Sequence, residues 1–260
     1  MSELLINDVN GVRWLTLNRP DQRNALDRPL LDALYACVEQ TAADGSIRCL
    51  VITASGKSFC AGADVAEWAA AEARGELETY GWTDKAHRLM VSLAALPIPT
   101  IAMLNGSAVG AGLDLALCCD FRFAVGSAKF KPGYTTMAYC PDAGSSWHLP
   151  RLIGEEQAKL FLFLDNAWNA KRALTAGMIT GLETAESLKE TVTALANRLA
   201  QGPTVAFKQT KALLEKSRHS TLAQQLSYEC EAGLACGRSE DAQEALRAAT
   251  EKRSPNFVGR

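Results

Sequence analysis

The chain has 260 residues, nearly half of them apolar and 22% charged, with a net charge of −2. That balance fits an ordinary globular protein and disfavours a nucleic-acid partner. The opening MSELLINDVNGVRW has neither the basic start nor the apolar core of a secretory leader, and the longest apolar run, Leu93 to Leu104, is broken by Pro97 and Pro99, so the expectation is a cytoplasmic chain with no membrane contact.

In chain order, Leu4–Val9 and Val12–Asn18 read as strands about an Asn10-Gly11 hairpin turn. Pro29–Ala42 shows helical spacing of Leu30, Leu31, Leu34 and Val38. Cys49–Thr53 is a continuous apolar run of the kind buried on both faces of a parallel sheet. A small-residue turn, Ala61-Gly62-Ala63-Asp64, follows the next strand-like stretch. Thr79–Leu96 is predicted helical and Thr100–Leu104 a buried strand. A second small-residue turn, Asn105 to Gly112, leads into a helix at Leu113–Cys119 and a strand at Phe121–Val125. Strand, glycine turn and helix repeat, which predicts an α/β core of stacked parallel units.

After about Glu155 helices dominate: Ala158–Leu164, Ala170–Ala176, Ala185–Leu199, Thr204–Lys216, Leu222–Ala235 and Asp241–Thr250, with one short β-branched run at Met178-Ile179-Thr180. The division expected is a core over residues 1–200 and a helical region over 201–260, whose apolar stripes form a self-packed cap or an oligomer interface. The eight cysteines lack a C-x-x-C pair and read mostly as buried reduced thiols. With three histidines, none suitably spaced, no metal site is expected.

Two small-residue turns facing each other place two backbone N–H donors on one oxygen, an arrangement suited to stabilising an enolate formed beside a carbonyl. The motifs surrounding them resemble the crotonase, or enoyl-CoA hydratase/isomerase, family. They are Leu17-Asn18-Arg19-Pro20 with Arg23-Asn24-Ala25-Leu26, Phe59 to Asp64, Asn105 to Gly112, Pro141-Asp142-Ala143-Gly144, and Glu251 to Phe257. The resemblance implies a spiral of ββα units, a helical trimerisation region, and homotrimers or dimers of trimers. It implies an acyl-CoA thioester substrate, with coenzyme A arriving as part of the substrate and no permanently bound cofactor. It puts the oxyanion donors on Ala63 and Ala111, and CoA or substrate contacts on Arg23, Ala25, Leu26, Ala61, Asp64, Gly110, Lys252 and Phe257.

The family's hydratases use two glutamates. By the same resemblance these positions hold Asp114 and Tyr134, and a phenol is a poor general base at neutral pH. Tyr134 is then expected as a pocket wall. Asp142 becomes the leading candidate for a proton shuttle, because an aspartate at that turn is found in isomerases of the phenylacetate type and in aryl-CoA dehalogenases. The alternative for Asp142 is a helix N-cap, and for Asp114 an early-helix carboxylate favoured by the helix dipole. By the resemblance His87 aligns with a dehalogenase base, against the commoner case of a surface or interface histidine on an amphipathic helix. Trp68, Trp82 and Trp147 are candidate acyl-pocket walls, and residues 67–81 a specificity determinant. The resulting expectation is an enoyl-CoA isomerase. The alternatives are a hydratase using Asp114, hydrolytic aryl-CoA chemistry, or a binder of CoA thioesters without turnover.

Overall fold

The computed structural model describes residues 2–76 and 79–260; Leu77 and Glu78, within the 67–81 segment, lie outside the described residues. Strands β1 (Leu4–Val9) and β2 (Val12–Leu17) pair antiparallel about Asn10 and Gly11. Both turn residues have positive φ (53° and 76°), as a tight two-residue hairpin turn requires. β2 then pairs in parallel with β3 (Cys49–Ala54), the first of a run of parallel strands.

The chain next alternates between two sheets. β3 lies in the larger sheet and β4 (Ser58–Cys60) in the smaller. Helices α1 (Arg28–Ala43), α2 (Val65–Ala73) and α3 (Trp82–Ala94) flank this part of the chain. The step repeats with β5 (Thr100–Leu104), β6 (Ser107–Val109) and α4 (Ala111–Leu117), and again with β7 (Phe121–Val125), β8 (Lys129–Lys131), α5 (Ser145–Ile153) and α6 (Glu155–Leu164). This is the expected ββα spiral. β3 and β5 are buried at every residue, as strands covered on both faces must be.

α3 begins later than the apolar pattern predicts. Gly81, at φ 70°, precedes it in the left-handed region, and Trp82 is the first helical residue. The Met178–Thr180 run is also displaced. After β9 (Trp168–Asn169) and α7 (Ala170–Thr175), the strand β10 forms at Gly181–Glu183, beside β7. A Cβ at Gly181 would stand 2.5 Å from the Phe123 ring, so the glycine admits that pairing.

α8 (Leu188–Ala200) buries Leu188, Val192, Ala196 and Ala200 against the large sheet. α9 (Thr204–Lys216), α10 (Leu222–Gly237) and α11 (Glu240–Glu251) bury far less; α9 has no fully buried residue. Leu222, Leu226 and Leu234 stay exposed along one side of α10. Five cysteines are buried, but Cys140 and Cys230 are exposed and Cys236 half-buried.

Candidate active site

The site begins with a pairing that no local signal dictates. β4 and β6 are parallel neighbours, with Ser58 opposite Ser107 and Cys60 beside Ala108. Parallel neighbours end at the same sheet edge, so the turns that follow them meet. Gly62 has φ 93°, and a Cβ there would lie 2.8 Å from the Val109 carbonyl oxygen and 3.5 Å from the Ala111 nitrogen. Gly112 sits equally close to Cys60. Only glycine permits this approach. β8 adds in parallel beside β6, which brings the turn carrying Tyr134 to the same edge.

Backbone accounting isolates two donors. The Leu26 N–H donates to Gly62 O (2.7 Å) and the Asp64 N–H to Leu26 O (3.1 Å), with Ala63 between them. The N–H groups of Leu113 and Asp114 both donate to Gly110 O, and that of Gly110 to Lys131 O. Ala111 is the first residue of α4 and has no acceptor one turn back. Among the described residues, neither Ala63 nor Ala111 donates to a backbone acceptor. The two expected oxyanion donors therefore lie on adjoining turns with their N–H groups uncommitted.

The first turn is braced by residues whose roles the sequence did not disclose. The Trp82 indole N–H donates to Leu26 O (2.7 Å). Arg19 reaches the Ala25 carbonyl, Asp27 (2.9 Å) and Asp64 (3.1 Å). Asp64 also caps α2 through the Glu67 N–H, so its carboxylate is already engaged within the chain. The Ala25 and Leu26 side chains are buried, leaving only backbone edges for a ligand, whereas Arg23 is exposed with φ 52°. The Arg23 carbonyl accepts from Ala61 N–H (3.0 Å). Lys252 closes α11, and the Phe257 carbonyl accepts from Arg48 (3.1 Å). No hydrogen bond among the described residues joins either to the Arg23 turn.

Asp114 is fully buried on α4 and accepts from the hydroxyls of Tyr134 (Oδ2) and Ser145 (Oδ1). Burial pushes its carboxyl up to about 7 against the opposing pull of these two donors, and the nearby Asp142 raises it further. Asp114 does stand in the first turn of α4, as an early-helix carboxylate would, but buried and bonded to two hydroxyls. Tyr134 is buried with its hydroxyl on Asp114, and desolvation together with that carboxylate raises its phenol.

Asp142 is half-buried and shifted upward, chiefly by desolvation, with the nearby His87 opposing. The N-cap alternative for Asp142 fails. The cap of α5 is Gly144, at φ 125°, and no side chain caps that helix. His87, exposed on α3, holds the Asp142 backbone carbonyl through Nε2 at 2.6 Å. A carbonyl can only accept, so Nε2 carries the proton. Of the tryptophans, Trp68 packs edge-on against Trp82 and also meets Tyr139, with centroids 5.7 and 5.6 Å apart. Trp147 is instead covered by the guanidinium groups of Arg151 and Arg218, each just over 4 Å from its ring. Its ring faces are thus engaged by the chain's own cations, contrary to the expected role in the acyl pocket.

Asp165, another residue the sequence did not single out, accepts from Gly133 N–H (2.6 Å) and from Thr136 N–H and hydroxyl (2.9 and 2.6 Å). It ties down the loop that carries Tyr134. Among the described residues no cluster of potential metal ligands occurs, and no helix is long and apolar enough to cross a membrane.

Residues 7–260 match the family described as enoyl-CoA hydratase/isomerase. The chain is 36% identical to the 1,2-epoxyphenylacetyl-CoA isomerase of Escherichia coli, over 100% of both chains. It is 34% identical to the 2,3-dehydroadipyl-CoA hydratase of the same organism, again over 100% of both. A solved Pseudomonas aeruginosa structure shares 60% identity over 88% of this chain and 97% of that one, with a TM-score of 0.85. The crystal structure of an enoyl-CoA hydratase from Bacillus anthracis superposes with a TM-score of 0.94 at 30% identity, over 100% of both chains.

Proposed function

The chain belongs to the enoyl-CoA hydratase/isomerase family, and from that membership we propose that it shifts the double bond of a 3-enoyl-CoA to the 2-position, with Asp142 as the single proton carrier. The Asp142 carboxylate takes a proton from the carbon beside the thioester carbonyl. The electron pair moves onto the thioester oxygen, where the Ala63 and Ala111 N–H groups meet the developing charge. Loss of one such donor costs about 3–4 kcal/mol in comparable sites. Asp142 then returns its proton two carbons further along, and the electrons settle into the conjugated alkene.

One observation carries this reading. Asp142 is half-buried with an upward-shifted carboxyl, yet that carboxylate caps no helix and, among the described residues, accepts from no neighbouring side chain; His87 holds only the backbone carbonyl. Asp114, by contrast, has both oxygens occupied. A relative at 36% identity is also named an isomerase, of 1,2-epoxyphenylacetyl-CoA rather than of a 3-enoyl-CoA. The test is incubation with a 3-enoyl-CoA, followed by the absorbance of the conjugated 2-enoyl thioester. Asp142→Asn abolishes that signal, and a wild-type rate in the variant would overturn the assignment.

A second reading, hydration using Asp114, is favoured by the 34% identical hydratase and by a carboxyl raised to about 7. It predicts water addition to crotonyl-CoA that is lost in Asp114→Asn. Hydrolytic aryl-CoA chemistry is less well supported, because the protonated His87 Nε2 is spent on a carbonyl. CoA contacts by Arg23, Lys252 and Phe257 belong to the same proposal, as does homotrimeric assembly through residues 201–260, where Leu214, Leu222, Leu226, Leu234 and Leu246 are exposed.

A further inference from the structure

Asp114 follows the oxyanion residue Ala111 by three positions, within the rigid first turns of α4. Ser145 follows Asp142 by three positions, at the first residue of α5. The carboxylate joins the two segments through Ser145, and it joins both to the β8 turn through Tyr134. The Asp142 peptide N–H lies near the same phenol oxygen and favours its charged form.

We propose that Asp114 is a positioning residue, a buried clamp that sets the Asp142 carboxylate relative to the Ala111 N–H by holding the Ser145 and Tyr134 hydroxyls together. The inference rests on the isomerase reading of Asp142.

Three observations support it. First, a general base needs an oxygen facing the substrate, and both oxygens of the fully buried Asp114 are committed to hydroxyls. Second, the turn it would hold is poorly secured otherwise. Gly144 sits at φ 125°, α5 has no side-chain cap, and the other hold on Asp142 is His87 at the exposed side. Third, a carboxylate enclosed in protein is costly unless every partner is placed, and a satisfied buried network of this kind specifies geometry. Here the geometry specified is the separation of an oxyanion donor from a proton carrier, where an error of 1 Å costs about a hundredfold in rate.

The test uses the full-length enzyme and 3-enoyl-CoA isomerisation, with kcat and KM resolved separately and a thermal melt to confirm folding. Ser145→Ala, which loosens one end of the clamp by removing the hydroxyl while the Ser145 peptide N–H still faces the carboxylate, lowers kcat about tenfold with KM within about twofold. Asp114→Ala lowers kcat about a hundredfold. Asp114→Asn rescues at least about tenfold of that loss, because its amide oxygen can accept from Ser145 while its amide N–H donates to the Tyr134 oxygen. An Asn variant as inactive as the Ala variant would assign chemistry to the carboxylate itself and overturn the clamp. So would wild-type kcat in both Ser145→Ala and Asp114→Ala, or a change confined to KM. If Asp114→Ala fails to fold, Ser145→Ala and Tyr134→Phe decide by the same split. Failure of the isomerase reading is distinguishable, since it shows as no 3-enoyl-CoA turnover by the wild type or as activity retained in Asp142→Asn. An inactive Asp142→Asn beside an unaffected Asp114 and Ser145 series overturns the clamp alone.

Discussion

Replacing Asp114 with asparagine is expected to remove a specific pH dependence from the stability of this protein. The Asp114 carboxyl rises from an ordinary 3.8 to about 7 on folding, chiefly through burial. Between those values the folded chain binds a proton that the unfolded chain has released, so stability falls as pH rises from about 4 to about 7 and is level above that. At 1.36 kcal/mol per unit, the three-unit shift corresponds to about 4 kcal/mol, of which about 2–3 kcal/mol falls between pH 5 and 8. Other groups titrate in the same range. His148 is pushed down to about 4 by burial and by neighbouring arginines, and a depressed histidine makes stability rise with pH towards its unfolded value. The useful quantity is therefore the difference between wild type and Asp114→Asn, in which the shared groups cancel. Urea unfolding at pH 5, 6, 7 and 8, at one protein concentration, should show the variant gaining about 2–3 kcal/mol on wild type across the series. A difference constant to within about 0.5 kcal/mol would refute the reasoning, because it would mean that folding does not change the Asp114 proton affinity.

Gly62→Ala introduces a Cβ 2.8 Å from the Val109 carbonyl at a φ of 93°; it should lower the isomerisation rate by about a hundredfold or more by displacing the Ala63 donor, and a wild-type rate would count against the oxyanion turn. Asp165→Ala leaves three donors from Gly133 and Thr136 without their acceptor. It should cost about 2–4 kcal/mol in urea unfolding, with Asp165→Asn costing less because asparagine keeps an acceptor oxygen and tolerates the φ of 51° at this position. Leu226→Asp with Leu234→Asp places charge on the exposed stripe of α10. Light scattering should then report a smaller assembly than wild type, and an unchanged mass would remove α10 from the interface.

Much of the candidate site was legible in the chain because its parts are local. A glycine between a strand and a helix announces a turn wherever the rest of the fold puts it, and the motif order from Leu17 to Phe257 carried the resemblance. The choice of Asp142 over Tyr134 as proton carrier came from the resemblance, which marks both positions, together with residue type, since a phenol at neutral pH is a weak base. The roles of Arg19, Ser145 and Asp165 did not emerge this way. Arginine, serine and aspartate are usually surface residues, and nothing in their immediate neighbours distinguishes a brace from a solvated side chain.

Trp147 shows the same division from the other side. As an aromatic residue near an active-site turn it read as a pocket wall, yet its ring is covered by Arg151 from its own helix and by Arg218 from beyond α9. Periodicity and turn chemistry act within a few residues, so the strand, glycine-turn and helix rhythm could be read from residue order, while the absence of both hydratase glutamates came from the resemblance. Which turns face each other is a matter of strand pairing across tens of residues. The meeting of Ala63 with Ala111, and the burial of Asp114 between Tyr134 and Ser145, follow from β4, β6 and β8 lying side by side, a long-range packing outcome that no short stretch of chain encodes.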